Sequence, residues 1–150
     1  MKNIYTNNNE MIEIGESTTV TAIVTDNDTA KSLLVGYGAT LPTDNYANVF
    51  ATTKMIGLME LAAGRLLDKI QDTNQLSVGV EINVKHLYAT PVGQEVTATA
   101  TYLGKEGLLH KFNVVAFDKG GKIGEGFHTR AIIEIDRLIL GAERRIQGDK

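Results

Sequence analysis

Val49-Phe50-Ala51-Thr52-Thr53-Lys54-Met55-Ile56-Gly57-Leu58-Met59-Glu60-Leu61-Ala62-Ala63 is the longest apolar segment of a 150-residue chain, and it encloses one carboxylate and a pair of hydroxyls. From Met55 onward, Leu58, Met59, Ala62, Leu66 and Ile70 recur at the three- and four-residue spacing that gathers them on one face of an α-helix. Ile56, Leu61 and Leu67 fall off that face, so the helix is apolar around most of its circumference and is expected to be wrapped by the β-rich remainder. Glu60 lies on the flank beside Ile56 and Leu67, away from Lys54 and Arg65, with no helical salt-bridge partner in reach. Two readings are open for it: a carboxylate that reaches solvent at the helix edge, or a partly buried base or hydrogen-bond acceptor in a cleft. Its apolar company favours the second.

Length and composition bound the rest. The chain suits a single domain over 1–150, with a loose Asn-rich leader at 1–9 and a charged tail at 141–150. The absence of cysteine excludes disulfides, thiolate metal sites and cysteine nucleophiles. A net charge of −3 without a block of Lys or Arg argues against nucleic acid as a partner. No stretch has signal-peptide character or membrane length, so a soluble, cytoplasmic protein with no membrane partner is expected. The three histidines are far apart in sequence and form no metal-ligand spacing, so neither a metal nor another cofactor is expected.

Around the helix the pattern is β. Val20, Ala22 and Val24 alternate with polar residues in a first strand ended by Asp26-Asn27-Asp28-Thr29. Residues 30–48 carry many turn formers and suggest a loop with a short helix near Ala30 to Leu34. After the helix, Val78, Val80, Ile82, Val84 and His86 alternate along the cleanest strand, which puts His86 at the end of an inward row and Gly79 on the opposite face. On position alone, His86 reads as a hydrogen-bonded core residue or as a catalyst. Three further strands, 95–103, 108–117 and 122–135, are separated by Gly104-Lys105-Glu106-Gly107 and Lys119-Gly120-Gly121 and make an antiparallel meander. On the last of these, Gly124, Gly126, His128 and Arg130 share a face, where the glycines leave room for close packing or for a groove with an anion-binding Arg. His110 reads as structural or solvated. The class is α+β, one long central helix against a curled antiparallel sheet of five or six strands.

Three stretches carry a family resemblance. Val49-Phe50-Ala51-Thr52 with Met55-Ile56-Gly57-Leu58-Met59-Glu60, His86 followed by Ala89-Thr90-Pro91 and Gly93, and Gly126-Phe127-His128-Thr129-Arg130-Ala131 resemble, in order and spacing, motifs of the hotdog-fold thioesterases of the fluoroacetyl-CoA thioesterase type. The resemblance runs over roughly residues 11–136. It implies a hotdog fold, hydrolysis of an acyl-CoA to the carboxylic acid and CoA, and a homodimer, able to stack further, with the active site at the subunit interface. It further implies that Thr52, Glu60 and His86 are catalytic and that Gly79 and Arg130 line the acyl pocket, with Phe50 and Tyr46 as further substrate contacts. The departures are Thr53-Lys54, where the family has a small residue and an aromatic, and a preceding loop without the family's pair of phenylalanines. Only Tyr37, Leu41 and Tyr46 are large there, which points to a short or medium acyl group other than fluoroacetyl. Lys54, Lys85 and Arg130 are candidate partners for the CoA phosphates.

One distance constrains the mechanism. Eight helical residues rise about 12 Å, so Thr52 and Glu60 cannot touch within one straight helix. Either the chain before Met55 leaves the helix and folds back, or the groups converge from two protomers. The competing function is a non-catalytic hotdog protein that binds an acyl-CoA or acyl ligand; a hydratase on the same fold ranks below both, because no Asp precedes a nearby His in the central region.

Overall fold

The computed structural model describes residues 11–38 and 41–148, so the leader at 1–9 lies outside the described residues. Strand β1 (Ser17–Ile23) leads through a single 3-10 turn at Asp26–Asp28 into a short helix α1 (Ser32–Gly36), and the long helix α2 spans Thr52–Leu67. Strands β2 (Gln75–His86), β3 (Glu95–Glu106), β4 (Leu109–Asp118) and β5 (Gly121–Glu134) follow, and α3 (Ile135–Gln147) ends the chain. The strands form one sheet of five in the order β1-β3-β4-β5-β2, antiparallel throughout, with β1 and β2 at its edges.

Strands β3 and β4 keep strict alternation. Val96, Ala98, Ala100 and Tyr102, with Phe112, Val114 and Ala116, point to the helix and are buried, while Thr97 and Thr99 face outward and bond to the β1 threonines Thr21 and Thr19. The alanines matter as much as the large residues, because small side chains beneath α2 let Met55, Met59, Ala62 and Leu66 settle onto the sheet with no exposed surface beyond 1 %. At Gly124 the helix lies close on the sheet: a Cβ there would stand 2.5 Å from Met55 Sδ and 2.9 Å from the Lys85 carbonyl. Each large side chain removed from water in this way contributes about 1.5–3 kcal/mol.

Four expectations are corrected. The sheet covers only one side of α2: Gly57 and Leu61 face away from it, so the helix is not wrapped on all sides. The helix begins at Thr52, after an extended Ala51 (φ −72°, ψ 142°), which removes the option that the chain before Met55 leaves the helix. A β-bulge between Gly79 and Glu81 shifts the parity of β2. Ile82, Val84 and His86 keep the register of the inward face, opposite His128, Gly126 and Gly124, whereas before the bulge that face passes to Ser77 and Gly79, not Val78 and Val80. Finally, the tail from Gly141, which read as frayed or as a short surface helix, is helical but is only the second half of α3, which starts earlier because Ile135, Leu138, Ile139, Ala142 and Ile146 repeat at helical spacing. Gly148 ends it in the left-handed conformation (φ 82°) that costs glycine least.

Candidate active site

The segment before α2 is held at both sides. Thr29 bridges to Phe50 and Val49 to Pro91, while the Phe50 amide donates to the Thr90 carbonyl (2.9 Å) and the Ala51 amide to the Asp28 carbonyl (2.8 Å). Phe50 and Ala51 are thereby buried, and Thr52 emerges as the first residue of the helix. Opposite it, β2 ends at His86, where the Leu87 amide donates to the Ile123 carbonyl and closes the strand. Thr52 Oγ1 and His86 Nδ1 meet at 2.8 Å, with the Phe50 ring edge-on to the imidazole at a centroid distance of 6.4 Å. Burial pushes the His86 pKa below its ordinary value, an effect partly offset by the neighbouring Tyr88 backbone. Neutral His86 can therefore accept the Thr52 hydroxyl proton at Nδ1. In that tautomer Nε2 carries the hydrogen, and this buried atom has no hydrogen-bond partner among the described residues.

No side chain of Ala51 caps the helix, and the first turn carries no acidic residue. The first-turn amides beside Thr52 thus present an uncancelled partial positive charge to the same corner.

Glu60 stands at a second place, two turns along α2. Its partners come from β5 and not from the helix: Glu60 Oε1 lies 3.6 Å from Arg130 Nη1 and 3.8 Å from His128 Nε2. Gly79 faces the same carboxylate, and a Cβ at that position would collide with Glu60 Oε1. Arg130 donates from Nε to Ser77 Oγ (3.0 Å), from Nη2 to the Ser77 carbonyl (2.9 Å) and from Nη1 to His128 Nε2 (3.1 Å). Burial lowers the Arg130 pKa, and the charges of Glu60 and Asp68 oppose that shift.

Within one chain, then, Thr52, His86 and Phe50 form one group, while Glu60, Gly79 and Arg130 form another. Tyr46 lies outside both on the exposed loop with 55 % of its surface open. Of the suggested phosphate partners, Lys54 is exposed and 3.9 Å from Asp28, whereas Arg130 is only 11 % exposed and committed to Ser77 and His128, so it is no cation at a pocket mouth. Sequence reasoning missed Ser77 because the bulge hides its parity. It placed His128 on the Arg130 face without a role, although the two-residue spacing on an inward face already puts the side chains side by side.

The family model of the fluoroacetyl-CoA-specific thioesterases matches residues 24–136. The chain belongs to that family. The fluoroacetyl-CoA thioesterase of Streptantibioticus cattleyicolor is 34% identical over 127 residues, which cover 85% of this chain and 89% of the relative. The structure of the fluoroacetyl-CoA thioesterase FlK superposes with a TM-score of 0.83 at 31% identity, covering 90% of this chain and 98% of that one. A point mutant of FlK in complex with fluoroacetate and CoA gives 0.78 at 34% identity over 85% and 99%. A Thermus thermophilus member of the thioesterase superfamily, 21% identical with a TM-score of 0.78, shares the fold. The architecture expected for this family, a hotdog fold, is the one observed.

Proposed function

We propose that this family member hydrolyses acyl-CoA thioesters, acting as a homodimer in which Thr52 and His86 of one protomer meet Glu60 of the other. The observation that carries this reading is the hydroxyl–imidazole contact at 2.8 Å, combined with a buried His86 Nε2 that has no hydrogen-bond partner among the described residues. Glu60 cannot complete this corner from the same chain, because a continuous helix separates it from Thr52 by about 12 Å. A second copy can, and the unpaired edge strand β2, which leaves Leu76, Val80 and Ile82 exposed, offers the surface for an edge-to-edge pairing.

In this scheme His86 Nδ1 takes the Thr52 proton as Oγ1 attacks the thioester carbonyl, and the first-turn amides meet the oxyanion. The C–S bond breaks, CoA leaves as thiolate and takes the proton held by His86, and the acyl group remains on Thr52. The partner's Glu60 then takes a proton from the water that attacks the acyl carbonyl, the acyl C–O bond to Thr52 breaks, and that proton passes to Thr52 Oγ1 as the carboxylic acid leaves. FlK carries a name specific for fluoroacetyl-CoA; the exposed Tyr37, Leu41 and Tyr46 leave the pocket of this chain unshielded, which supports a different short or medium acyl group. CoA enters only as part of the substrate.

Thiol release from a panel of acyl-CoAs of increasing chain length tests the reading. Turnover of short or medium members is expected, and tight binding measured by calorimetry without any thiol release would leave a binding protein in its place. Mixing inactive Glu60→Gln with inactive His86→Ala tests the shared site. Random exchange puts one intact site into half of the dimers and should restore about a quarter of wild-type activity, whereas no recovery after verified subunit exchange would mean that each chain works alone.

A further inference from the structure

Helix α3 carries an apolar face that its own chain leaves in water. Ile135, Leu138, Ile139, Ala142 and Ile146 gather on one side, with Arg137 and Arg144 opposite. Leu138 is nevertheless 41 % exposed, Ile139 53 % and Ile146 75 %. Among the described residues, β5, the strand that α3 continues, is the one element in sustained contact with it. A contiguous exposed apolar strip with a charged reverse side is the mark of an interaction surface. The family match ends at residue 136, so all but the first two residues of this helix lie beyond it.

The fold fixes where that face is presented. Glu134 pairs with Gln75, and the Ile135 amide donates to the Asn74 carbonyl (3.1 Å), which ties the first turn of α3 to the start of the edge strand β2. At the other end of β2, immediately after His86, Leu87 and Tyr88 are also open to water, at 43 % and 68 %. The length of β2 holds the two places about 35 Å apart. Ile139, one turn into the helix, therefore cannot reach Tyr88 of its own chain.

Two-fold pairing of the β2 edges removes that separation. The shared site proposed above needs Glu60, which stands against Gly79, to reach Thr52 and His86 of the other copy. An antiparallel pairing that sets Gly79 across from the partner's Lys85, beside that histidine, sets Leu76 across from the partner's Tyr88. The start of each α3 is then two strand spacings, roughly 10 Å, from the second copy's exposed pair. A helix of 13 residues covers that span, since it is about 20 Å long. Leu76, itself 47 % exposed, lies between them and continues the apolar strip.

We propose that the apolar face of α3 packs across the two-fold on Leu87 and Tyr88 of a second copy of the chain, so that each C-terminal helix walls the catalytic corner of the other protomer. The occupant is a second copy because the register that completes the shared site also brings two unpartnered apolar surfaces together. This rests on the dimer reading under Proposed function, and on no assumption about the acyl group.

The test uses the full chain, whose lack of native cysteine makes cross-linking clean. The double variant Tyr88→Cys with Ile139→Cys is treated with a short bismaleimide, which tolerates a residue of slip in register. A covalent dimer whose digest joins the peptides of positions 88 and 139 is expected. Ile139→Glu changes a side chain the single copy leaves in water, and it should raise the dimer Kd at least about tenfold in sedimentation equilibrium, because the carboxylate would have to be desolvated. A dimer without the 88–139 link, or one whose Kd stays within about twofold in Ile139→Glu, overturns this inference and leaves the dimer reading standing. A wild type that sediments only as monomer removes the dimer reading and this inference with it. Flotation of such a monomer with anionic lipid vesicles would assign the face to a membrane surface instead. Thiol release, assayed in parallel, bears on the thioesterase reading alone: a linked dimer that releases none keeps the interface.

Discussion

The two polar sites on α2 are built in opposite ways. At the start of the helix, Thr52 and His86 are in direct contact at 2.8 Å, and the unmet valence is a buried ring nitrogen that looks for something beyond the chain. Midway along, Glu60 has the Arg130 guanidinium at 3.6 Å and the His128 ring at 3.8 Å with no hydrogen bond among the described residues, while Arg130 and His128 are bonded to Ser77, to the Glu81 carbonyl and to each other. One place has its internal geometry and lacks an outside partner; the other has its surroundings and keeps the carboxylate free. Half-sites of these complementary kinds suit the two-fold assembly proposed above, in which a symmetric pair would bring the open end of each to the other.

The largest effect should come from removing either half. Glu60→Gln and His86→Ala should each lower kcat by at least about 10²-fold, the usual cost of losing a general base. A loss below threefold in either would break the comparison, because that half would then be dispensable.

The two halves should also fail differently. If Thr52 takes the acyl group before water acts, Glu60→Gln stalls after the first step and releases a burst of about one thiol per site, with the acyl mass on the Thr52 peptide. His86→Ala should show no burst. A Glu60→Gln enzyme without burst or acyl adduct would assign the attack to water.

Gly79→Ala probes the Glu60 side alone. Its new Cβ would overlap Glu60 Oε1 and stand 3.4 Å from His128 Cε1, so the half-exposed carboxylate must move while the sheet stays in place. Activity should fall roughly 10- to 10²-fold with a thermal midpoint within a few degrees of wild type, and full activity would show that Glu60's position is not critical.

The smallest effect concerns pH and separates His110 from both sites. Burial lowers the pKa of His86, His110 and His128 alike, with Lys105 adding to the shift at His110 and Arg130 contributing at His128. Below the ordinary value of 6.5 the unfolded chain therefore binds more protons than the folded one. Stability is fully present above that pH and is lost progressively as pH falls below it. Urea midpoints should drop between pH 7.5 and 5.5, and His110→Phe, which removes a ring bonded to Tyr102 Oη at 2.8 Å, should flatten the drop without changing its sign. An unchanged slope in that variant would mean His110 titrates as it does in the unfolded chain.

Much of this was legible beforehand. The meander of β3, β4 and β5 follows from period-two alternation between glycine turns, and α2 from its three- and four-residue repeat, because both patterns record a single buried face that local geometry imposes. The candidate residues Thr52, Glu60, His86, Gly79 and Arg130 came from a resemblance of motifs, and the fold groups them in two places. Alternation failed at β2, where one extra residue at the bulge exchanges Val78 and Val80 for Ser77 and Gly79 on the inward face. It also overstated how much of α2 is covered, since Gly57 and Leu61 look the same in sequence whether a sheet or a second chain faces them.

By itself the sequence determined the order of the strands and of the long helix, the buried faces of β3 and β4, the family and the identity of the groups able to do acyl chemistry, because these depend on local spacing and residue type. Only the tertiary structure decided which polar groups touch: that Thr52 reaches His86 across 34 positions, that Arg130 is anchored by Ser77 from 53 positions away, and that His128 accepts a hydrogen bond from Arg130 Nη1. Those contacts depend on strand register and on the bulge in β2. Neither is encoded in any short stretch of chain.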